Sequence, residues 1–273
     1  MAIKIIHATG QMCNQFWIIS NYLADCIEED KHLSLWLPDF NIEQFNKLCN
    51  SKFISFPLYP KKIVQLFGYK NWSKFIKLFF SNKLSVFLTN KIFILVPGIN
   101  FMIIDVISCK KSKYRSKHIK TILDIFLPNS IYIDEVVNQI ENKVENELLI
   151  GIHIRHGDYR TFNNGKYFYS LEQYNDLMTK IREVFIDKNV KFFIASNEKI
   201  DYRIFEKHDI VKITNSSALK DLIGLSKCDY ICGPPSSFSA WASLYNDSHL
   251  YFIEDIKADI NEISFINIKK VWF

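Results

Sequence analysis

The chain has 273 residues, 48% of them hydrophobic and 15% aromatic, with only eight Gly and seven Pro. That is enough apolar material for a large buried core, and it excludes fibrous, low-complexity and disordered classes. The formal net charge is +5, but the lysines are dispersed among Ile, Asn and Phe without the dense basic stripe of a nucleic-acid reader, so an acidic ligand or an anionic membrane surface is the expected partner.

Residues 3–8 predict a strand that starts at the N-terminus with no long apolar h-region, so no secretory leader and a cytoplasmic location are expected. A turn at Thr9-Gly10-Gln11 leads into a helix over about 14–29, and residues 32–37 predict a second strand that Pro38 interrupts. Residues from about 40 to 130 are rich in lysine and aromatics with poor periodicity, and mostly helix is expected there. Within them Lys61, Lys62, Lys70, Lys74, Lys77 and Lys83 interleave with Phe67, Tyr69, Trp72, Phe75, Phe79 and Phe80. Such a segment suits peripheral contact with an anionic bilayer through residues 61–83, or a helix with core-facing aromatics and solvated lysines. The apolar stretch 84–107 is broken by Asn90, Lys91, Pro97, Gly98, Asn100 and Asp105, which points to core and not to a membrane span. Ile133, Val136, Val137, Ile140 and Val144 have helical spacing.

From Leu148 onward strands and helices alternate: a strand to His153, a helix over 171–185, a strand over 191–195, a short strand over 210–213, a helix over 217–227, a strand over 230–232 and a helix over 238–245. This βα order predicts a parallel sheet covered by helices, with ligands bound outside the carboxyl ends of its strands. Two domains are expected, 1–146 and 147–273. The six cysteines, Cys13, Cys26, Cys49, Cys109, Cys228 and Cys232, have neither zinc-site nor compact disulfide spacing. They read as reduced packing residues, and no metal site is expected.

Two segments carry the chemistry. In Gly151-Ile152-His153-Ile154-Arg155-His156-Gly157-Asp158-Tyr159 an apolar run ends at a charged turn, and strand alternation puts His153 and Arg155 on one face. The Arg155 guanidinium is a planar fork suited to a diphosphate. The plainer alternative is an Arg155–Asp158 pair that pins the turn. In Gly233-Pro234-Pro235-Ser236-Ser237-Phe238-Ser239-Ala240-Trp241 a serine-rich turn joins a strand to a helix, with Ser236 or Ser237 as N-cap. The first helical turn there would offer N–H groups to an anion, or would simply be capped.

At these residues the chain resembles the GDP-fucose-dependent fucosyltransferase superfamily, most closely its bacterial α-1,2-fucosyltransferases of glycosyltransferase family 11. Gly10-Gln11-Met12-Cys13-Asn14-Gln15 is similar to the family's Gly-x-x-Gly-Asn-Gln loop, and the His153 to Tyr159 segment resembles its His-x-Arg-Arg-x-Asp motif. Phe193-Ile194-Ala195-Ser196-Asn197-Glu198 resembles the strand and acidic turn that follow, and the Ser236 to Ala242 segment resembles its Ser-Ser-Phe-Ser-x-Trp-Ala segment. Three positions depart: His156 stands in place of a second arginine, Cys13 in place of a loop glycine and Asn197 in place of an acidic residue.

The resemblance implies an α/β, GT-B-like fold of two facing Rossmann-type domains with parallel sheets, an acceptor-side N-terminal domain and a GDP-sugar-binding C-terminal one. It implies an inverting, metal-independent transfer of L-fucose from GDP-β-L-fucose to a glycan hydroxyl, in α-1,2 linkage, for bacterial surface polysaccharide, on an acceptor that is free or lipid-linked. Arg155 and Asn14 are the implied catalytic residues; Gly10, Gln11, His153, Asp158, Asn197, Ser236, Ser237, Phe238 and Ser239 are the implied substrate-binding residues. The departures leave two alternatives open, another GDP-sugar as donor or a non-catalytic nucleotide-sugar-binding module.

Overall fold

Strands and helices alternate through both halves of the chain, and the strand pairings are parallel. The structure, a computed structural model, describes residues 3–84, 99–140 and 146–272. The chain divides into two units, Met1–Asn129 and Ser130–Phe273.

The first unit contains β1 (Ile3–Ala8), α1 (Met12–Glu28), β2 (Leu33–Leu35), α2 (Asn46–Cys49), β3 (Ile54–Ser55), α3 (Lys61–Phe67), α4 (Tyr69–Leu84), β4 (Ile99–Ile104) and α5 (Arg115–Ile125). Its sheet order is β3-β2-β1-β4. Helix α1 is apolar over most of its circumference and buries Phe16, Trp17, Ile18, Ile19, Leu23 and Ala24, as expected of a helix covered on several sides. Residues 40–130 are helical over α2, α3, α4 and α5 but also supply β3 and β4, which the poor periodicity concealed; β4 pairs with the whole of β1, from Ile3↔Ile99 to Ala8↔Ile104. The apolar stretch over 84–107 was expected in the core. Its residues 85–98 lie outside the described residues, and of the remainder Ile104 is buried while Ile107 is 97% exposed.

The second unit contains α6 (Ser130–Ile140), β5 (Glu147–Ile154), α7 (Leu171–Val184), β6 (Asn189–Ser196), β7 (Asp209–Val211), α8 (Ala218–Ser226), β8 (Tyr230–Gly233), α9 (Ser237–Tyr245), β9 (His249–Phe252) and α10 (Ile268–Trp272). Its sheet order is β7-β6-β5-β8-β9. Helix α6 falls within this unit and not within an N-terminal domain ending at 146: Lys220 of α8 pairs with Glu135 at 2.5 Å, and Gln139 Oε1 accepts from the Thr214 N–H at 2.7 Å.

Local sequence explains these elements. Ser170 and Gln173 form a reciprocal capping box that starts α7. Tyr174, Leu177, Met178 and Ile181, spaced one helical turn apart, then pack on Ile150, Ile152, Ile154, Phe192 and Ile194 of the sheet. Strand β5 is central and buried on both faces, hence its near-continuous apolar run. The expected strand and helix limits of this half match the structure to within a few residues, except that β9 and α10 have no expected counterpart. Among the described residues no helix is long and apolar enough to cross a membrane, and all six cysteines are free.

Candidate functional site

The order β7-β6-β5-β8-β9 means that chain connections leave β5 in one direction and enter β8 from the other, so β5 and β8 flank the point where the topology reverses. In open α/β sheets the crevice at the carboxyl ends of such strands is the ligand site. The His153 and Ser236 segments both emerge there, after β5 and after β8.

His153 is 3% exposed and its ring lies 5.1 Å from that of Phe238. Gly233 makes this approach possible, because a Cβ there would stand 2.8 Å from both the Cβ and the carbonyl oxygen of His153. Burial, and next the charge of Arg155, push the His153 imidazole down to about 3, so it is neutral at physiological pH. Its buried Nδ1 meets no donor or acceptor of the described residues. A buried polar atom without a partner is costly in a free protein and marks a place where a ligand can supply one.

Arg155 follows β5 directly, with its side chain 12% exposed. The guanidinium pairs with Asp158 at 2.8 and 2.9 Å and lies over the Tyr159 ring, 5.4 Å from its centroid. The turn-pinning pair is therefore present, and it holds the fork at the strand end. The Tyr159 hydroxyl donates to the Pro235 carbonyl at 2.6 Å, which ties the β5 turn to the loop that follows β8. Gly157 has φ +53, and a Cβ on it would meet Asn197 Nδ2 at 2.7 Å.

The three departures have distinct roles. His156 turns inward, with Nε2 donating to the Tyr169 carbonyl at 2.8 Å and the ring 4.8 Å from Phe168. It plugs the space under the turn. Asn197 Oδ1 accepts the His156 N–H at 2.9 Å, and Glu198 accepts the Gly157 N–H at 3.1 Å while pairing with Arg160 at 2.8 Å. Both side chains brace the backbone that carries Arg155. Cys13 lies within α1, 2% exposed, and burial raises its thiol well above the ordinary value. It is a core residue and not part of the turn.

Ser236 is the N-cap of α9 and accepts the Phe238 N–H at 3.2 Å, so Ser237 is the first helical residue. Ser237 and Phe238 are half-buried. Ser239 is fully buried and its hydroxyl donates back to the Ser236 carbonyl at 3.3 Å. It packs inside the helix start, away from the open side where Ser236, Ser237 and Phe238 lie. A cavity of about 180 Å³ lined by Gln139, Glu147, Leu148 and Lys191 sits at the amino end of the sheet, the wrong end for a ligand of this topology.

In the first unit, Gly10, Gln11 and Asn14 follow β1, which with β4 flanks the topological reversal of that sheet. Gln11 is exposed at the N-cap position of α1, and Asn14 is half-buried in its first turn. Gln15, buried beside them, donates to the Gly10 carbonyl at 2.8 Å and fixes the turn. The bracing by Tyr159 and Glu198 had no signal in the sequence, because it depends on which loops the sheet brings together.

The family model of Glycosyl transferase family 11 matches residues 100–259. That span includes every second-unit residue of this site and leaves out Gly10, Gln11 and Asn14. Among solved structures, POFUT1 in complex with GDP is 11% identical with a TM-score of 0.55, the alignment covering 89% of this chain and 94% of that one. A mutant of Arabidopsis thaliana FUT1 in complex with GDP is 11% identical with a TM-score of 0.54, covering 93% and 70%. Fucosyltransferase NodZ from Bradyrhizobium is 14% identical with a TM-score of 0.50, covering 92% and 94%. At such identities the likeness is one of fold, and the fold is α/β of the GT-B-like kind, with a parallel sheet in each unit. No curated protein matches the chain.

Proposed function

Because the chain belongs to glycosyl transferase family 11, we propose that it transfers L-fucose from GDP-β-L-fucose to a hydroxyl of a glycan acceptor, with inversion and in α-1,2 linkage. The observation that carries this reading is Arg155, a mostly buried guanidinium at the carboxyl end of β5, beside the serine-rich start of α9. In the reaction the acceptor oxygen forms a bond to the anomeric carbon, the bond from that carbon to the β-phosphate oxygen breaks, and its electron pair leaves with GDP. The acceptor proton passes to a base or to water.

Charge thus grows on the β-phosphate. Arg155 and the N-terminal end of α9 are suited to meet it, as donors positioned before the reaction begins. The neutral His153 ring, tilted against Phe238 with an open Nδ1, is suited to hydrogen-bond the nucleoside without adding charge. Asp158 and Asn197 hold the arginine and its turn. Gly10, Gln11 and Asn14 are assigned to the acceptor side by the motif they resemble, with Asn14 near the reacting carbon. Bacterial surface polysaccharide, free or lipid-linked, is the acceptor class proposed. The donor assignment rests on the motif resemblance and is supported by the similar folds of POFUT1 and FUT1, each solved in complex with GDP.

A donor screen by GDP or UDP release tests the reading, with GDP-fucose, GDP-mannose and UDP-sugars offered alongside galactose-terminated oligosaccharides. Release with GDP-fucose alone and a 1,2-linked product by NMR are expected. Turnover with GDP-mannose would replace the donor, and a 1,6-linked product would replace the linkage.

A further inference from the structure

No residue of α3 or α4 is among those assigned above to the transfer reaction. Between Glu43 and Asp105 the sequence holds nine lysines and neither an aspartate nor a glutamate, so this stretch carries more positive charge than the +5 of the whole chain and the remaining residues are net negative. Within α4, Tyr69, Ser73 and Ile76 are buried at helical spacing. The Tyr69 hydroxyl donates to the Leu37 carbonyl, the Ser73 hydroxyl to the Pro38 carbonyl and Trp72 Nε1 to the Leu58 carbonyl. These bonds fix the helix to the first unit by one face.

The opposite face carries exposed apolar side chains among its polar ones, Asn71 included, where a solvated helix would be polar throughout. Phe75 is 57% and Leu78 64% exposed, and the end of α3 extends the patch with Leu66 at 82% and Phe67 at 61%. The rings form a continuous ridge, with Phe67 and Trp72 centroids 6.5 Å apart and Trp72 and Phe75 stacked at 5.3 Å. Lys70 and Lys74 stand exposed beside it, whereas Lys77 pairs with Asp39. Side chains from 79 to 84, including Phe79, Phe80 and Lys83, lie outside the described residues.

We propose that this ridge, flanked by Lys70 and Lys74, docks on an anionic bilayer surface. Aromatic and aliphatic side chains would enter the boundary between headgroups and acyl chains, and the lysine ammonium groups would meet lipid phosphates. The occupant is identified by charge complementarity: a long stretch with lysines alone fits a diffuse sheet of negative charge. Each lysine near such a surface strengthens partitioning by about fivefold, an effect that salt screens.

The test is cosedimentation of the full chain with vesicles of phosphatidylcholine alone or mixed with phosphatidylglycerol, at low and high salt. Binding to the phosphatidylglycerol vesicles at low salt is expected, weakening as salt rises. The double variant K70E/K74E should bind at least about 25-fold more weakly, from two lysines at fivefold each. F67S/F75S should lose the binding that persists at high salt. All four positions are exposed, so thermal melting of both variants should match the wild type and keep a loss of binding interpretable. Failure of the wild type to bind phosphatidylglycerol vesicles at low salt, or equal binding by K70E/K74E, overturns the proposal. So does self-association of the wild type that F67S/F75S abolishes without any vesicle binding, which would assign the face to a second copy.

Discussion

The Tyr159 hydroxyl stands 2.6 Å from the Pro235 carbonyl oxygen and joins the turn after β5 to the turn after β8. The same ring lies under the Arg155 guanidinium and stacks on Phe162 at 5.1 Å. One side chain thus sets the spacing of both candidate phosphate-binding segments. Tyr159→Phe keeps the ring and removes one hydrogen bond, worth about 0.5–1.5 kcal/mol. A fall in kcat/KM of up to about tenfold is expected, with Tyr159→Ala costing more because the support under Arg155 is lost too. Equal kcat/KM for wild type and Tyr159→Ala would remove the residue from this role.

Arg155→Ala should reduce transfer by about 100- to 1000-fold, the usual consequence of deleting a principal donor to developing charge. Arg155→Lys should recover part of this, since charge is kept but the planar fork is not. Asp158→Ala should do less harm and act mainly on KM, because the partner that holds the guanidinium is lost while the guanidinium remains. Steady-state kinetics on folded protein decides the matter. Unchanged turnover in Arg155→Ala would sink the assignment.

Ser236 caps α9, and Ser236→Ala should cost about 1 kcal/mol at that helix start. GDP binding should weaken by a similar amount, about fivefold, as the first turn frays. Position 237 is the first helical residue, where proline is compatible with the backbone, so Ser237→Pro should be tolerated better than Phe238→Pro, which removes the N–H that Ser236 binds. Calorimetric titration with GDP would show the order. Equal affinity in Ser236→Ala, Phe238→Pro and wild type would count against a phosphate at this helix.

Turnover should persist in excess chelator. Arg155 can supply the positive charge that a metal otherwise brings to a diphosphate, and among the described residues no three His, Cys, Asp or Glu side chains are placed to hold a cation. Loss of activity in EDTA with recovery in manganese or magnesium would overturn the expectation.

The second unit was largely legible in the sequence because its strands are buried on both faces and read as apolar runs closed by polar turns, as in the segment from Leu148 to His153. His153, Arg155 and Ser236 stood out for the same reason, each at a point where such a run ends. The first unit was less readable. Strand β4 lies in a region whose lysines and aromatics mask any period of two, and only its pairing with β1 identifies it. The inward turn of His156 depends on its bond to the Tyr169 carbonyl, beyond the reach of the local pattern.

His153 provides a test by pH. Burial first, and then Arg155, hold its imidazole down to about 3, against an ordinary value of 6.5. Between those limits the unfolded chain accepts a proton that the folded chain refuses, so the stability linked to this residue is intact above about pH 6.5 and is lost as pH falls through the window, by at most about 1.4 kcal/mol per pH unit. Asp221 acts in the opposite sense. Burial raises its carboxyl from 3.8 to about 6, so its contribution is present below 3.8 and is lost as pH rises through about 6. The two slopes oppose each other over much of the acidic range, and the wild-type curve alone would hide both. His153→Gln isolates the first, since Asp221 and the other carboxylates are common to both proteins and cancel in the difference. Denaturant unfolding at pH 7 and pH 4.5 should show the wild type losing stability relative to His153→Gln as the pH is lowered. A constant offset between the two proteins would mean that His153 titrates alike in the folded and unfolded chains, and that its ring is not the buried neutral group facing the nucleotide side.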